Sequence, residues 1–443
     1  MSLQQAAFFA LAVLALVLLA QRGRVQPFLA LTLSAIGFGY AAGMSTSHVA
    51  KAFSLGFGQS LNALGLIVVG AAFMAEIANA TGATARLQAR AAGRTHRALP
   101  LAVLGLVASV ASAPAAAFAL LNPLRRGLGG DSPRSALVLG LSLSAGHGLL
   151  VPAPVMLASF TILGADWRLT LAIGLPLAIL LTLLGVALAR ATTSDVPVPV
   201  DTAPLIDGET MHAPRRGALA LWVVSLGLVA LLVTQSLGDI ASEPLGGGSN
   251  REFLIALGRP VVLLLAGTGA LLLLSWHWER GGLTESGWAG RAITRVAGLV
   301  LLIGAAGGLA KIAQETGMAE MNAERLIPYA PAGALALLLP FALAAVVKTL
   351  QGSSLVAAIT AAGMMMELVA PLGLGDPMGR ALAALAIGAG AMGASHINDG
   401  FFWLVGQAAR LPAGSVIARF SLVTLAQGLV AAILLVALRA ITA

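Results

Sequence analysis

Cysteine is absent from all 443 residues, which excludes a disulfide framework, a thiolate metal site and a cysteine nucleophile. Charge is scarce too: only 10% of residues are Asp, Glu, Lys or Arg, where a soluble domain carries about 25%. Lysine is confined to Lys51, Lys311 and Lys348. The familiar signatures of hydrolases and nucleotide-binding enzymes, HExxH, GxSxG and GxxxxGK[ST], are missing. His147, His396 and Asp399 lack the local spacing of a zinc set. These absences argue against an enzyme and against any cofactor or metal. What the chain has instead is 58% apolar residues and a mean hydropathy of +0.92. Such a chain cannot cover a water-facing surface, so it reads as an all-α polytopic membrane protein in the lipid bilayer. Its formal charge of +8 reads as loop anchors that set topology, with no nucleic-acid partner.

The first apolar run, 6–20, has no basic residue before it and Arg22 and Arg24 after it. That order is the reverse of a secretory signal, and predicts a retained first span with its amino end outside. With roughly 20 apolar residues per crossing, further spans are expected at 27–45, 60–80, 168–189, 217–235, 253–275 and 293–313. The loop RLQARAAGRTHR carries Arg86, Arg90, Arg94 and Arg97 with no acid, which places it in the cytoplasm. The segment 98–121 has basic residues beyond both ends and a single proline within SVASAPAAAF. A re-entrant hairpin fits those flanks better than a kinked span. Three more apolar stretches are interrupted: 135–166 by SAGHGLLVPAPV, 331–372 at Gln351–Ser354, and 380–410 by GASHINDG. Backbone broken at membrane depth survives only inside protein or against a polar cavity. A proline-rich polar linker at 190–217 splits the chain. The expected division is N-terminal spans 1–52, a first repeat 53–189 with its hairpin near 98–121, the linker, connecting spans 218–292, and a second repeat 293–443 with its hairpin near 331–372. That gives about 11 to 12 membrane segments.

The repeat rests on AAFMAEIANATGA and AGGLAKIAQETGM, aligned by setting Gly82 against Gly317. Six positions then match: Ala71, Ala75, Ile77, Ala78, Thr81 and Gly82. Each copy is followed by a broken segment and then by a second break bearing a histidine, His147 or His396. The loop after the first copy is rich in arginine, whereas the loop after the second carries Glu315, Glu320 and Glu324 with a single Arg325. Equivalent loops on opposite faces make the repeat inverted, as in secondary transporters whose half-helix N-termini face anionic substrates near the midplane.

Candidate functional residues lie at the breaks. Gln351, Gly352, Ser353 and Ser354 combine close backbone approach with an amide and hydroxyls, suited to carboxylate or sugar oxygens; the alternative is packing glue between helices. An aspartate at membrane depth is costly by about 2.5–3.5 kcal/mol, so Asp399 calls for a function or a partner. Asp399 is expected to bind the coupling proton or sodium, with His396 as a proton relay and Asn398 as a substrate contact. Helix capping is the bland alternative for Asn398 and Asp399. His147 is a weaker substrate or proton candidate, and Lys348, one turn before Gln351, could attract a carboxylate or snorkel to an interface. Glu76 and Lys311 read as helix-end or packing charges, Glu367 and Asp166 as interfacial ones.

The segments from AFSLGFGQSLNALGLIVVGAAFMAEIANATGA through VVKTLQGSSLVAAITAAGMM to GASHINDGFFWLVGQ resemble the gluconate permease family in order and content. The resemblance spans about 53–440 and is sharpest at the QGS cluster and at the SHxND motif, Ser395 to Asp399. It implies a multi-pass protein of the bacterial inner membrane, importing a small hydroxylated organic anion such as gluconate with protons. It further implies a homodimer working by an elevator-type motion, with Gln351, Ser353, Ser354, His396, Asn398, Asp399 and His147 at the site. The family's aromatic and acidic first hairpin is replaced here by Ser112, Ala113, Pro114, Ala115, Ala116 and Ala117. That change leaves a smaller anion or a D-serine-like amino acid as alternatives. A cation/proton antiporter on the same scaffold is the competing function.

Overall fold

The computed structural model describes residues 3–21, 25–91, 98–111, 113–193, 215–238, 246–276, 280–317 and 331–442. Several predicted features lie outside these residues: most of the linker, Arg22, Arg24, Arg94, Arg97 and Ser112, and the acidic loop with Glu320, Glu324 and Arg325.

Where lipid offers the backbone no hydrogen bonds, helices satisfy it internally, and the described residues are helical throughout the apolar stretches. The first half runs α1 (Leu3–Gln21), α2 (Pro27–Ala41), α3 (Thr46–Ser60), α4 (Leu66–Ala80), α5 (Ala83–Ala91), α6 (Ala98–Ala108), α7 (Pro114–Gly129), α8 (Pro133–His147), α9 (Pro154–Leu163) and α10 (Trp167–Thr192). The second half runs α11 (Arg215–Gly238), α12 (Gly248–Leu257), α13 (Pro260–Ser275), α14 (Trp288–Glu315), α15 (Leu338–Gln351), α16 (Ser354–Met366), α17 (Pro377–Met392), α18 (Gly400–Ala409), α19 (Ala413–Val416) and α20 (Leu422–Thr442). Among the described residues six helices are long and apolar enough to cross a membrane, or seven with one bent pair. The remaining expected segments are shorter apolar helices that end at internal breaks.

Two spans differ from expectation. The span placed at 60–80 begins at Thr46, because α3 passes through a single π turn, Leu61–Gly65, straight into α4. Lys51, His48 and Gln59 lower the hydropathy of this stretch without breaking the helix. The span placed at 253–275 is two helices meeting at 62°; Pro260 has no N–H to continue α12 and starts α13 instead.

The halves share a plan. α4 and α14 end alike: Thr81 and Thr316 turn their hydroxyls back on the backbone, and Gly82 and Gly317 follow at φ 68° and 65°. Each is succeeded by a helix pair broken near its middle, α6/α7 and α15/α16. Next come α8 and α17, helices buried on every side from Ser135 to His147 and from Ala381 to Met392. α6 packs on α8 and α15 on α17; α8 and α17 rest in turn on α10 and α20. The halves meet where α16 packs on α9 and α7 on α18. Opposite this assembly α3, α4 and α2 pack on α14. α3 and α14 approach so closely that a side chain at Gly56 would strike the Gly307 carbonyl.

Candidate functional site

The breaks converge on a chamber of about 420 Å³. Three helix N-termini line it: Ala113 to Ala115 opening α7, Ser353 to Val356 opening α16, and Asp399 to Phe401 opening α18. A helix N-terminus leaves backbone N–H groups without helical partners and carries partial positive charge, which favours anions. Ser353 caps α16 by accepting from the Val356 N–H at 3.3 Å, and Asp399 caps α18 by accepting from the Phe401 N–H at 2.9 Å. α7 has no side-chain cap: Ala113 stands at its N-cap and Pro114 follows.

Asp399 is held tightly. Its Oδ2 accepts from the Lys348 ammonium at 2.6 Å and from the Ser395 hydroxyl at 2.5 Å. Lys348 is buried and also donates to the Gly352 carbonyl at 2.7 Å, so it neither snorkels nor stands free. Gly352 sits at φ 70°, and a Cβ there would strike the backbone carbonyl of Asn398. Asn398 Nδ2 donates to the carbonyls of Thr349 and Leu350 at 2.9 and 3.2 Å. The break between α15 and α16 is thereby tied to the SHxND turn by hydrogen bonds, an ion pair and a glycine-dependent close approach.

The two histidines do matching work. His147 Nδ1 donates to the Ser109 carbonyl at 2.8 Å, and His396 Nε2 donates to the Thr349 carbonyl at 2.8 Å. Each ties a broken helix to the hairpin of its own half, and in each the second ring nitrogen is left as an acceptor. Their positions differ. His147 lines the chamber, whereas His396 stands behind its wall, its ring edge-on to Phe9 at 6.1 Å.

Of the residues singled out in the sequence, Gln351, Gly352, Ser353, Ser354, Lys348, Asn398, Asp399 and His147 share the chamber, and His396 does not. Lys311, Gln314, Gln59, Ser60, Ser144 and Ser395 also line it. Lys311 pairs with Glu315 at 2.8 Å and donates to Gln314 at 2.9 Å. Polar residues on the chamber face of α3 and α14 were the available signal, and neither helix is broken there to draw attention to them. Glu76 is a buried packing charge, meeting Arg295 at 2.5 Å and Arg291 at 3.5 Å. Asp166 caps α10.

Buried acceptors without partners are the most informative feature. Gln351 Oε1, Asn398 Oδ1 and the Ser144 hydroxyl are buried and make no hydrogen bond, a state that costs about 1–3 kcal/mol each unless a ligand or water relieves it. All three residues line the chamber.

The family model for GntP family permeases matches residues 5–441. The chain belongs to the GntP permease family. Among relatives of this GntP permease, a gluconate permease of Pseudomonas aeruginosa is 28% identical over 89% of the chain and 88% of its own length. The high-affinity gluconate transporter of Escherichia coli is 28% identical over 93% and 94%. An Escherichia coli L-idonate transporter of the Gnt-II system is 28% identical over 86% and 87%. This GntP permease is thus a membrane transporter of the inner membrane, with multiple spans.

Proposed function

We propose that this GntP permease imports gluconate or a closely related sugar acid together with protons. The observation that carries the reading is the chamber's division of labour. The amide side chains of Gln351 and Asn398 and the hydroxyls of Ser144, Ser353 and Ser354 belong to residues that line the chamber and suit a polyhydroxylated solute. The uncapped N-terminus of α7, the N-terminus of α16 and Lys311 suit a carboxylate. A polyhydroxylated monocarboxylate answers both. The printed substrates of the relatives, gluconate and L-idonate, belong to that class.

Proton coupling falls to the Lys348–Asp399 pair. Its ammonium occupies the carboxylate and the Gly352 carbonyl together, the places a coupling metal cation would need, which favours protons over sodium and over a cation antiporter. Moving one charge against the membrane potential costs about 2.3 kcal/mol per 100 mV, so a co-transported proton both neutralises the anion and drives it. The hairpin tips, tied to α8 and α17, form the unit that would carry the solute in an elevator-type step of an inverted-repeat carrier.

The test is uptake and thermal stability of purified protein with gluconate, L-idonate, D-serine and sodium. A ligand at a hundredfold excess over its dissociation constant raises stability by about 2.7 kcal/mol. Gluconate or L-idonate should raise the wild-type melting temperature, and Asn398→Ala and Ser353→Ala should remove the shift. Stabilisation by D-serine or sodium alone refutes the sugar-acid reading.

A further inference from the structure

Below the chamber, on the other side of a thin partition, lies a second cavity of about 490 Å³. On α14 the chamber takes Ile303, Gly307 and Lys311, while one turn earlier Arg295, Val296 and Leu299 face the second cavity. On α18 the chamber takes Gly400 and Phe401 and the second cavity takes Leu404 and Gln407. The step from Leu299 to Ile303 is one helical turn, about 6 Å. On α7, Phe118 follows the chamber-lining Ala113 to Ala115 and precedes Ala119 of the second cavity, and it packs edge-on against Phe401 at 5.9 Å.

The second cavity is basic. Among the described residues around it, Arg125, Arg126, Arg291, Arg295 and Arg410 meet two carboxylates, Asp131 and Glu76. Arg125 is wholly buried and spent on structure, bonding Asn122 Oδ1, Asp131, the Gly130 carbonyl and the Ser135 hydroxyl. Arg126 and Arg410 share Asp131 Oδ2 at 3.6 and 2.8 Å, and Arg295 and Arg291 share Glu76. Arg295 and Arg410 keep 41% and 31% of their side chains exposed, so the cavity opens outward. Two carboxylates cannot neutralise five guanidiniums. The surplus is an attractive field for anions in a partly desolvated cleft, and guanidinium forks match carboxylates in shape. The cavity opens beside α5, whose Gln88 donates to the Arg126 carbonyl at 3.0 Å; α5 carries Arg86 and Arg90, so this face is cytoplasmic by the distribution of basic residues.

We infer that this cavity is a second anion site, in which Arg126, Arg295 and Arg410 hold a small organic carboxylate of the transported class on the cytoplasmic face. It rests on the proposed function. The volume matches that of the chamber, about 490 against 420 Å³, which fits a solute of the same size. The site would receive the anion once it has passed the partition, and would make uptake sensitive to solute accumulated inside.

The experiment is equilibrium binding of radiolabelled gluconate to the full chain in neutral detergent, with L-idonate, inorganic phosphate and phosphatidylglycerol as competitors. Two gluconate molecules per chain are expected. Ser353→Ala removes one, and the double variant Arg126→Gln, Arg410→Gln weakens the other at least tenfold while the first stays. Because loss of both arginines leaves Asp131 with Arg125 alone, Gln407→Leu is the second variant; it leaves the ion pairs intact and should also weaken the second site alone. One gluconate per chain, lost with Ser353→Ala and indifferent to the arginine and glutamine variants, overturns the inference and leaves the proposed function standing. Phosphate or phosphatidylglycerol as the molecule held by the arginines, without gluconate, overturns the carboxylate assignment. Absence of gluconate and L-idonate binding anywhere overturns both readings.

Discussion

Lys348 and Asp399 form an ion pair whose side chains are 3% and 15% exposed. Removing one member of such a pair leaves an uncompensated buried charge and costs about 3–5 kcal/mol. Lys348→Met and Asp399→Asn should therefore each lower the melting temperature sharply and abolish uptake driven by an imposed pH gradient. The double variant should regain most of the lost stability while staying uncoupled. Single variants as stable as wild type would contradict the pairing. Most of this site was legible in the sequence, because Gln351, Ser353, Lys348 and Asp399 are conspicuous in apolar surroundings. The division between the histidines was not. Both anchor a backbone carbonyl, and polarity at a break does not tell which of the two lines the chamber; only the fold separates His147 from His396. Lys311 and Gln59 escaped for the opposite reason, since they lie on unbroken helices where polarity carries no local signal.

At the scale of elements, α17 and α20 are fastened by Asp376 and Arg439. The guanidinium donates to both carboxylate oxygens, at 2.7 and 2.9 Å, and the Gly379 N–H adds a third bond at 3.2 Å. The Arg439 hydrogen bonds hold the Asp376 carboxyl below the usual aspartate range. A lowered folded-state value means that the pair stabilises fully above the unfolded value, about pH 4, and that this contribution fades as pH falls through the lower folded value. Arg439→Gln should flatten the acid limb of a stability profile taken between pH 5 and 2, with little change in shape above it; an unchanged acid limb would remove Asp376 from the account. The break within 135–166 was legible at Pro152 and Pro154, the second of which opens α9, whereas Asp166, read as interfacial, caps α10. The start of α3 at Thr46 was not legible, because a hydropathy ruler discounts a helix that carries His48 and Lys51. The bend before Pro260 was written in the sequence as Gly258-Arg259-Pro260, but the apolar runs on either side were read as one span.

At the scale of the whole molecule, the helices of both halves surround two neighbouring cavities that share the walls α7, α14 and α18. The offset between Gly82 and Gly317 aligned two segments whose helices, α4 and α14, end in the same way, at a threonine followed by a glycine of positive φ. The cavities were not legible, since their walls come from α3, α4, α7, α14 and α18 at once, and sequence places no two of these side by side. Phe118 is fully buried against Phe401, on α7 between the residues that line the two cavities, and is expected to help keep the cavities apart. Phe118→Ala is expected to cost about 3–5 kcal/mol of stability and to let preloaded gluconate leak from proteoliposomes without any proton gradient. Efflux at the wild-type rate would show that the partition is sealed by other residues. The thinness of that partition has an electrical side. In the proposed carrier, with the chamber open to one bath and the second cavity to the other, the membrane voltage would fall across about one helical turn instead of the whole bilayer of about 30 Å. In so focused a field, a solute that moves only a few ångströms traverses nearly the full potential difference, and a short structural displacement does the electrical work of a long one.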